Sequence, residues 1–394
     1  MSNQPIELSD VFHRFYAAFR QKHSVLPSHE QASHDIMNCM TEAMGGGFHH
    51  CNDCEELFYS YHGCRNRSCP KCHGRQTAEW LAKRQAEAFP CQYFHVIATV
   101  PSELRDLFKR HQKIFYGILM QSAARAVCEL ASDRHYIGAE PGVLAILHTW
   151  TTLLFFHPHV HMLVTGGGVD GDRCDRCDRG GDWRECSPDF LVPVKKLSRM
   201  ISKKFSETLF KEYPELHSQI PKAVWKREWC SFCKPFGTGQ EAVLKYLARY
   251  VFRIAITNAR ILAMDESNVT LRCKDNETGE WKVHKIPGVE FLRRFLQHVL
   301  PQGFHKVRYY GLWSPAKRKQ QLQVHLLLAQ KTSLTESGEP VAPDAPVQIA
   351  DLADKALQLS GAETHEHRIK CPKCASSNVE CLQKLRRGGR VMQT

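Results

Sequence analysis

Residues 155–168 read FFHPHVHMLVTGGG, and this stretch decides how the 394-residue chain is understood. It predicts a strand over Val160–Thr165, rich in apolar and β-branched residues and stopped by Gly166, Gly167 and Gly168. One residue separates His159 from His161, so on a strand both imidazoles project from the same face while Val160 points into the opposite layer. That is a two-histidine clamp, able to hold Mg²⁺ or Mn²⁺ at an open site where the ion would polarise a scissile phosphate. An apolar strand with paired inward histidines is an awkward way to build a plain core. A third ligand is normally needed, and the sequence leaves it open. His148 and His95 sit on candidate neighbouring strands, His148 slightly ahead, and Gln240 or Glu241 could also reach in. His157 reads as a loop residue or a support for the ligands.

Working outward, Tyr93–Val100 and Val143–Trp150 are the neighbouring strand candidates, and a hairpin is expected within 268–286 over the Asp275–Gly279 turn. Helices are expected within 7–45, ahead of Gly45, Gly46 and Gly47, and over 74–89, Ser102–Leu130, 195–212 and 240–257. The strand, helix, strand, strand order gives an α+β fold with a central antiparallel sheet flanked by helices. Three regions follow: 1–90, helical and cysteine-rich; 91–330, carrying the histidine strand; and 331–394, a linker with Pro340, Pro343 and Pro346 and then a cysteine-bearing basic tail.

In QEAVLKYLARYVFRIAITNARI, residues 240–261, Tyr246 and Tyr250 are four apart, which puts both phenols on one face of a helix. Lys245, Arg249 and Arg253 form an adjoining stripe. A free phenol titrates near pH 10, so a nucleophilic tyrosine needs a nearby cation to favour phenolate, and these residues supply candidates. Paired tyrosines at helical spacing are more often core residues, and the histidine strand is what raises them to candidate nucleophiles.

In CNDCEELFYSYHGCRNRSCPKC, residues 51–72, the CxxC pairs Cys51/Cys54 and Cys69/Cys72 are expected to close one tetrahedral, structural Zn²⁺ site, with Cys64 and His62 read either as substitute ligands or as a buried free thiol or a support to the ligands. Arg65, Arg67, Lys71 and Arg75 crowd the second pair, a cationic surface that phosphates would attract. In the tail, Cys371 and Cys374 have the pattern of another knuckle, with Cys381, His365 and His367 as candidate remaining ligands, and Lys384 to Arg390 carry a basic run; a disordered basic tail is the alternative. Cys174, Cys177 and Cys186 read as free thiols, with an extra zinc site as the alternative.

Composition agrees with a polyanionic partner: 53 Lys and Arg against 41 Asp and Glu give a net charge of +12. Seventeen cysteines, several of them in CxxC pairs, suit metal ligation in a reducing compartment better than a disulfide framework. With no signal-like start and no long apolar run, a soluble, cytoplasmic protein is expected.

Taken together, CRNRSCPKC (64–72), HTW (148–150), HPHVHMLVTGGG (157–168), KPFG (234–237) and YLARYVFRIAITNARI (246–261) resemble the bacterial insertion-sequence family ninety-one transposases, over about residues 45–320. The resemblance implies an N-terminal zinc-binding domain followed by an HUH domain, with His159 and His161 as metal ligands and Tyr246 and Tyr250 as nucleophiles. It further implies rolling-circle transposition, with single-stranded DNA at transposon ends and target DNA as partners; a homo-oligomer and a host helicase are further expectations. Two alternatives stand beside it: a rolling-circle replication initiator or relaxase with the same chemistry, and a non-catalytic zinc DNA-binding regulator, which would leave the tyrosine pair and histidine strand unexplained.

Overall fold

The structure, a computed structural model, describes residues 5–72, 88–170, 182–251, 253–275, 278–335 and 369–388. Arg75, most of the expected helix 74–89, Cys174, Cys177, the linker from 336 onward, His365, His367 and Arg390 lie outside the described residues.

Twelve strands form three antiparallel sheets among the described residues. In chain order they are β1 (Gly46–Cys51), β2 (Leu57–Tyr61), β3 (Gln92–Thr99), β4 (Glu140–Trp150), β5 (Phe156–Val169), β6 (Trp183–Glu185), β7 (Cys230–Thr238), β8 (Ile261–Met264), β9 (Asn268–Lys274), β10 (Trp281–Pro287), β11 (Val307–Gly311) and β12 (Val379–Leu385). The central sheet runs β11-β4-β5-β3-β7, with β6 added to the far end of β5. The expected α+β class, strands and hairpin are present, and β1, β2, β6, β7, β8, β11 and β12 join them without having been expected.

Period-two alternation sorts the central sheet into two layers. Val160, Met162 and Val164 of β5, with Val96 and Ala98 of β3 and Ala145 and Leu147 of β4, bury against the helices Gln112–Ala131 and Val194–Glu212. The opposite face carries Leu144, Ile146, Leu163 and Tyr93, covered by the helix Gly239–Tyr246 through Ala242, Val243 and Tyr246. The histidines belong to this second face.

Three local expectations are corrected. The triple glycine does not stop β5, which continues to Val169 and pairs with both β4 and β6. At Gly167 a Cβ would lie 2.5 Å from the Trp183 ring, so the glycine lets that indole cross the strand. The expected helix Ser102–Leu130 is broken at His111 into Arg105–Arg110 and Gln112–Ala131. The expected helix 240–257 is α-helical only to Tyr246 and then widens into a π turn over Leu247–Val251. It stops there because the Tyr250 carbonyl is taken by His148 (2.6 Å).

The N-terminal helices Leu8–Lys22 and Pro27–Met37 do not stand apart from the later chain. Phe12, Phe15 and Phe19 bury beside Ile261, Leu271 and the helix Gly288–Leu296, each ring contributing roughly 1.5–3 kcal/mol. Arg67 fastens the same junction by donating to the carbonyls of Leu300 (3.1 Å), Pro301 (2.8 Å) and Phe304.

Candidate active site and thiol clusters

Sheet register assembles the histidines. His159 and His161 alternate on β5, and His148 on β4 stands directly across from His159. On the other side, β3 brings His95 opposite Leu163. The donor nitrogens of His148, His159 and His161 all lie within 4.8 Å of one another.

Each of the three rings has one nitrogen held from outside the group and the other turned toward its fellow ligands. His159 Nδ1 donates to the His157 carbonyl (2.7 Å), leaving Nε2, which sits 3.1 Å from His161 Nε2. His161 Nδ1 contacts His95 Nε2 (3.0 Å), and His148 Nε2 donates to the Tyr250 carbonyl (2.6 Å), leaving His148 Nδ1. Outer hydrogen bonds that fix tautomer and ring orientation are the usual support of a metal-binding imidazole. His95 thus stands behind His161, and His157 supplies a carbonyl while its ring meets Arg105 (3.2 Å).

Burial pushes His95 and His159 down to about 4 and holds His148 and His161 well below the ordinary imidazole value. The positive charges of Arg249, on His95, and Arg253, on the other three, act in the same direction. All four rings are therefore neutral at neutral pH, the form that binds a metal.

The tyrosines meet this cluster from the end of the helix, Tyr246 as its last α-helical residue and Tyr250 on the π turn. The Tyr250 ring lies 4.3 Å from that of His161 and 4.7 Å from that of His95, and Tyr246 lies 4.7 Å behind Tyr250. They differ in access: Tyr250 is half-buried, whereas Tyr246 is fully buried and its hydroxyl has no hydrogen-bond partner among the described residues. Burial raises the Tyr246 phenol well above its ordinary value. Arg249 and Arg253 are exposed beside the pair, while Lys245 pairs with Glu241 (2.6 Å), whose exposed carboxylate does not belong to the histidine group. The Gln240 side chain is not among those described.

The single thiol site expected from Cys51, Cys54, Cys69 and Cys72 does not form. The β1–β2 hairpin intervenes, with Cys51 and Cys54 at its tip and Cys64 to Cys72 at its base. Five residues of strand at about 3.3 Å each put roughly 15 Å between the two pairs. Cys69 and Cys72 instead gather with Cys64 and Cys39, all buried, with Cys72 Sγ 3.5 Å from Cys39 Sγ and 3.6 Å from Cys64 Sγ. Contacts with Cys39, Cys64 and Cys69 hold Cys72 far below the ordinary thiol value, while contacts with Cys39 push Cys64 and Cys69 far up. Contacts with Cys64 and Cys69 lower Cys39 as well, and a group of thiols that perturb one another in this way is one that a cation would relieve. Sequence reasoning missed Cys39, a lone cysteine with no CxxC spacing to mark it. Cys51 and Cys54 gather with Cys371 and Cys374. Cys381, an expected partner of the tail knuckle, is exposed on β12 and faces away from that group toward the Gln383 carbonyl.

The arginines near the second pair part company. Arg65 is exposed, at a positive φ of 57°, but Arg67 spends its guanidinium on the three carbonyls above and is not free for phosphate as expected. Lys71 pairs with Glu7. Cys186 is half-buried, its thiol pushed up to about 11 by burial.

Comparison with known proteins gives a consistent result. Residues 142–321 match the family described as "Putative transposase", and residues 11–100 match the family described as "Transposase zinc-binding domain". The chain is 34% identical to "Putative transposase y4qJ" of Sinorhizobium fredii, over 97% of this chain and 96% of that protein. It is 26% identical to the transposase for insertion sequence element IS801 of Pseudomonas savastanoi pv. phaseolicola, over 70% of this chain and 68% of that one. No solved structure matches. No helix among the described residues is long and apolar enough to cross a membrane.

Proposed function

Since the chain belongs to the IS91 family of transposases, DNA-processing enzymes with an N-terminal zinc-binding domain, we propose that it performs rolling-circle transposition by cutting single-stranded DNA with tyrosine. Tyr250 is the first nucleophile and Tyr246 the second. What carries this reading is the convergence under the ring of Tyr250 of three neutral imidazoles whose donor nitrogens lie within 4.8 Å of one another, each ring held from outside by its other nitrogen.

His148, His159 and His161 would hold a divalent ion, Mg²⁺ or Mn²⁺, whose chemistry is to withdraw charge from the scissile phosphate. The donor set fits a cation, and three imidazoles without a carboxylate suit Mn²⁺ better than Mg²⁺. Arg249 and Arg253 bind phosphate oxygens at the rim. The Tyr250 oxygen attacks phosphorus, the bond from phosphorus to the 3′-oxygen breaks, and the leaving oxygen takes a proton. The products are a 5′-phosphotyrosine and a free 3′-OH, and the retained ester lets the strand be rejoined without ATP. Tyr246, shut away behind Tyr250, takes no part until the π turn rearranges. In the same reading Cys39, Cys64, Cys69 and Cys72, all within the matched zinc-binding segment, hold a structural Zn²⁺.

The test uses labelled single-stranded oligonucleotides carrying element ends, with Mn²⁺ or Mg²⁺. Wild type should form a denaturation-resistant adduct that peptide mass assigns to Tyr250. Tyr250→Phe should lose it by at least about 100-fold, while Tyr246→Phe should keep the first adduct and lose complete transposition. An adduct on neither tyrosine, or full activity of the double variant, sinks the reading.

A further inference from the structure

The tail beyond residue 369 returns to the N-terminal region. β12 pairs with β1 from Gly46 opposite Leu385 to Cys51 opposite Val379, making a three-stranded sheet in the order β12-β1-β2. The Asn52 N–H donates to the Asn378 carbonyl (3.0 Å), Asn378 Nδ2 donates to Asp53 (2.8 Å), and Lys373 pairs with Glu56 (3.2 Å).

Where the two segments meet, each folds the same turn. The Glu55 N–H donates to the Cys51 carbonyl (2.8 Å), as the Ala375 N–H does to the Cys371 carbonyl (2.9 Å). The Cys51 N–H donates to the Glu56 carbonyl, and the Cys371 N–H to the Ser376 carbonyl, both at 2.9 Å. Glu55 and Ala375 both adopt φ 59°, a left-handed conformation that neither side chain favours. Two unrelated sequences, more than three hundred residues apart, accept the same strain to aim their sulfurs at one point. Cys51 Sγ is 3.6 Å from Cys374 Sγ and Cys54 Sγ is 3.5 Å from Cys371 Sγ. Sulfurs bound at about 2.3 Å around a tetrahedral zinc stand roughly 3.8 Å apart, so the group is nearly at its liganded spacing.

We propose that residues 46–61 and 371–385 form a single zinc ribbon split across the chain, with Zn²⁺ bound by Cys51, Cys54, Cys371 and Cys374. Four thiolates close the coordination sphere and leave no position for substrate, so the ion is a clasp that docks the tail on the N-terminal sheet and turns the intervening chain into a closed loop. It is distinct from the Cys39, Cys64, Cys69 and Cys72 group, with which it shares no residue, and it does not depend on the tyrosine chemistry.

Metal content of the purified full-length protein tests this. The Cys371→Ser/Cys374→Ser variant should carry one equivalent of zinc less than wild type. Because that variant could lose the ion by misfolding, Cys374→His provides the second arm. It should keep the metal, and after Co²⁺ substitution its visible bands should move to those of a three-sulfur, one-nitrogen site. A specific protease site inserted within 336–368 adds a mechanical readout: after cutting, the tail fragment should co-elute with the rest of the protein and be released by a chelator. Unchanged zinc content in the double-serine variant, a disulfide among these thiols in the native protein, or a fragment that stays bound after chelation would each overturn the proposal.

Discussion

At the scale of single residues, the clearest feature is a phenol in the wrong place for a finished nucleophile. The Tyr246 hydroxyl is buried and unpaired, and an unsatisfied buried polar group costs about 1–3 kcal/mol. Tyr246→Phe should therefore leave the fold intact and raise stability by up to about 1 kcal/mol in urea unfolding, although it blocks transposition. A loss of stability would mean that the hydroxyl has a partner in solution. His298 offers a second test. It is buried between Thr149 Oγ1 (3.1 Å) and the Leu154 carbonyl (3.0 Å), and burial holds its imidazole at about 4. The unfolded chain takes up that proton from about pH 6.5 downward and the folded one only near 4, so stability is lost as pH falls across this window, by about 3 kcal/mol for this group. His298→Gln should flatten the decline between pH 7 and 4.5; an unchanged slope would refute the assignment. Residues such as His159, His161, Tyr246 and Tyr250 were legible because a local period places them. His148 was only a candidate until the β4–β5 register set it against His159, and Cys39 carried no spacing at all.

At the scale of elements, strands with clear alternation were read correctly, and errors arose where a tertiary bond overrides a local rule. The tyrosine segment has the composition of one long helix, yet the His148 ring claims the Tyr250 carbonyl and the helix widens by a residue. π turns of this kind are commonly functional, because they re-aim side chains that an α-helix would set elsewhere. Deleting Ala248 should restore α-helical winding and carry Tyr250 off His161. The first cleavage should then fall by about 100-fold or more, with helix content by circular dichroism unchanged or higher. Undiminished cleavage would show that the widened turn is incidental. The glycines of β5 misled for a related reason: Gly167 admits Trp183 across the strand, and Gly166 and Gly168 let the carbonyls of Gln92 and Glu140 come close, contacts that lie outside any short window of sequence.

At the scale of the whole molecule, the α+β class and the central sheet were readable, but the way the ends of the chain are tied in was not. Cores here do not follow sequence order: the N-terminal helices share theirs with residues 255–299. Arg67 is the fastening between them, and burial in that junction lowers its guanidinium from the ordinary value. Arg67→Ala leaves the carbonyls of Leu300, Pro301 and Phe304 without their donor. The melting temperature should drop, by an amount corresponding to about 1–3 kcal/mol, with zinc content retained; loss of DNA affinity with no change in melting would instead make Arg67 a phosphate contact.

The meeting of β1 with β12 also bears on how the protein is made. Cys54 leaves the ribosome 317 residues ahead of Cys371, the thiol it faces in the folded sheet. At typical rates of synthesis of about 5–20 residues per second that interval lasts roughly 15–60 s. Through it the first knuckle offers two cysteines and an unpaired strand edge to whatever is nearby, so a message cut short before codon 371 yields a chain whose opening sheet can never be completed.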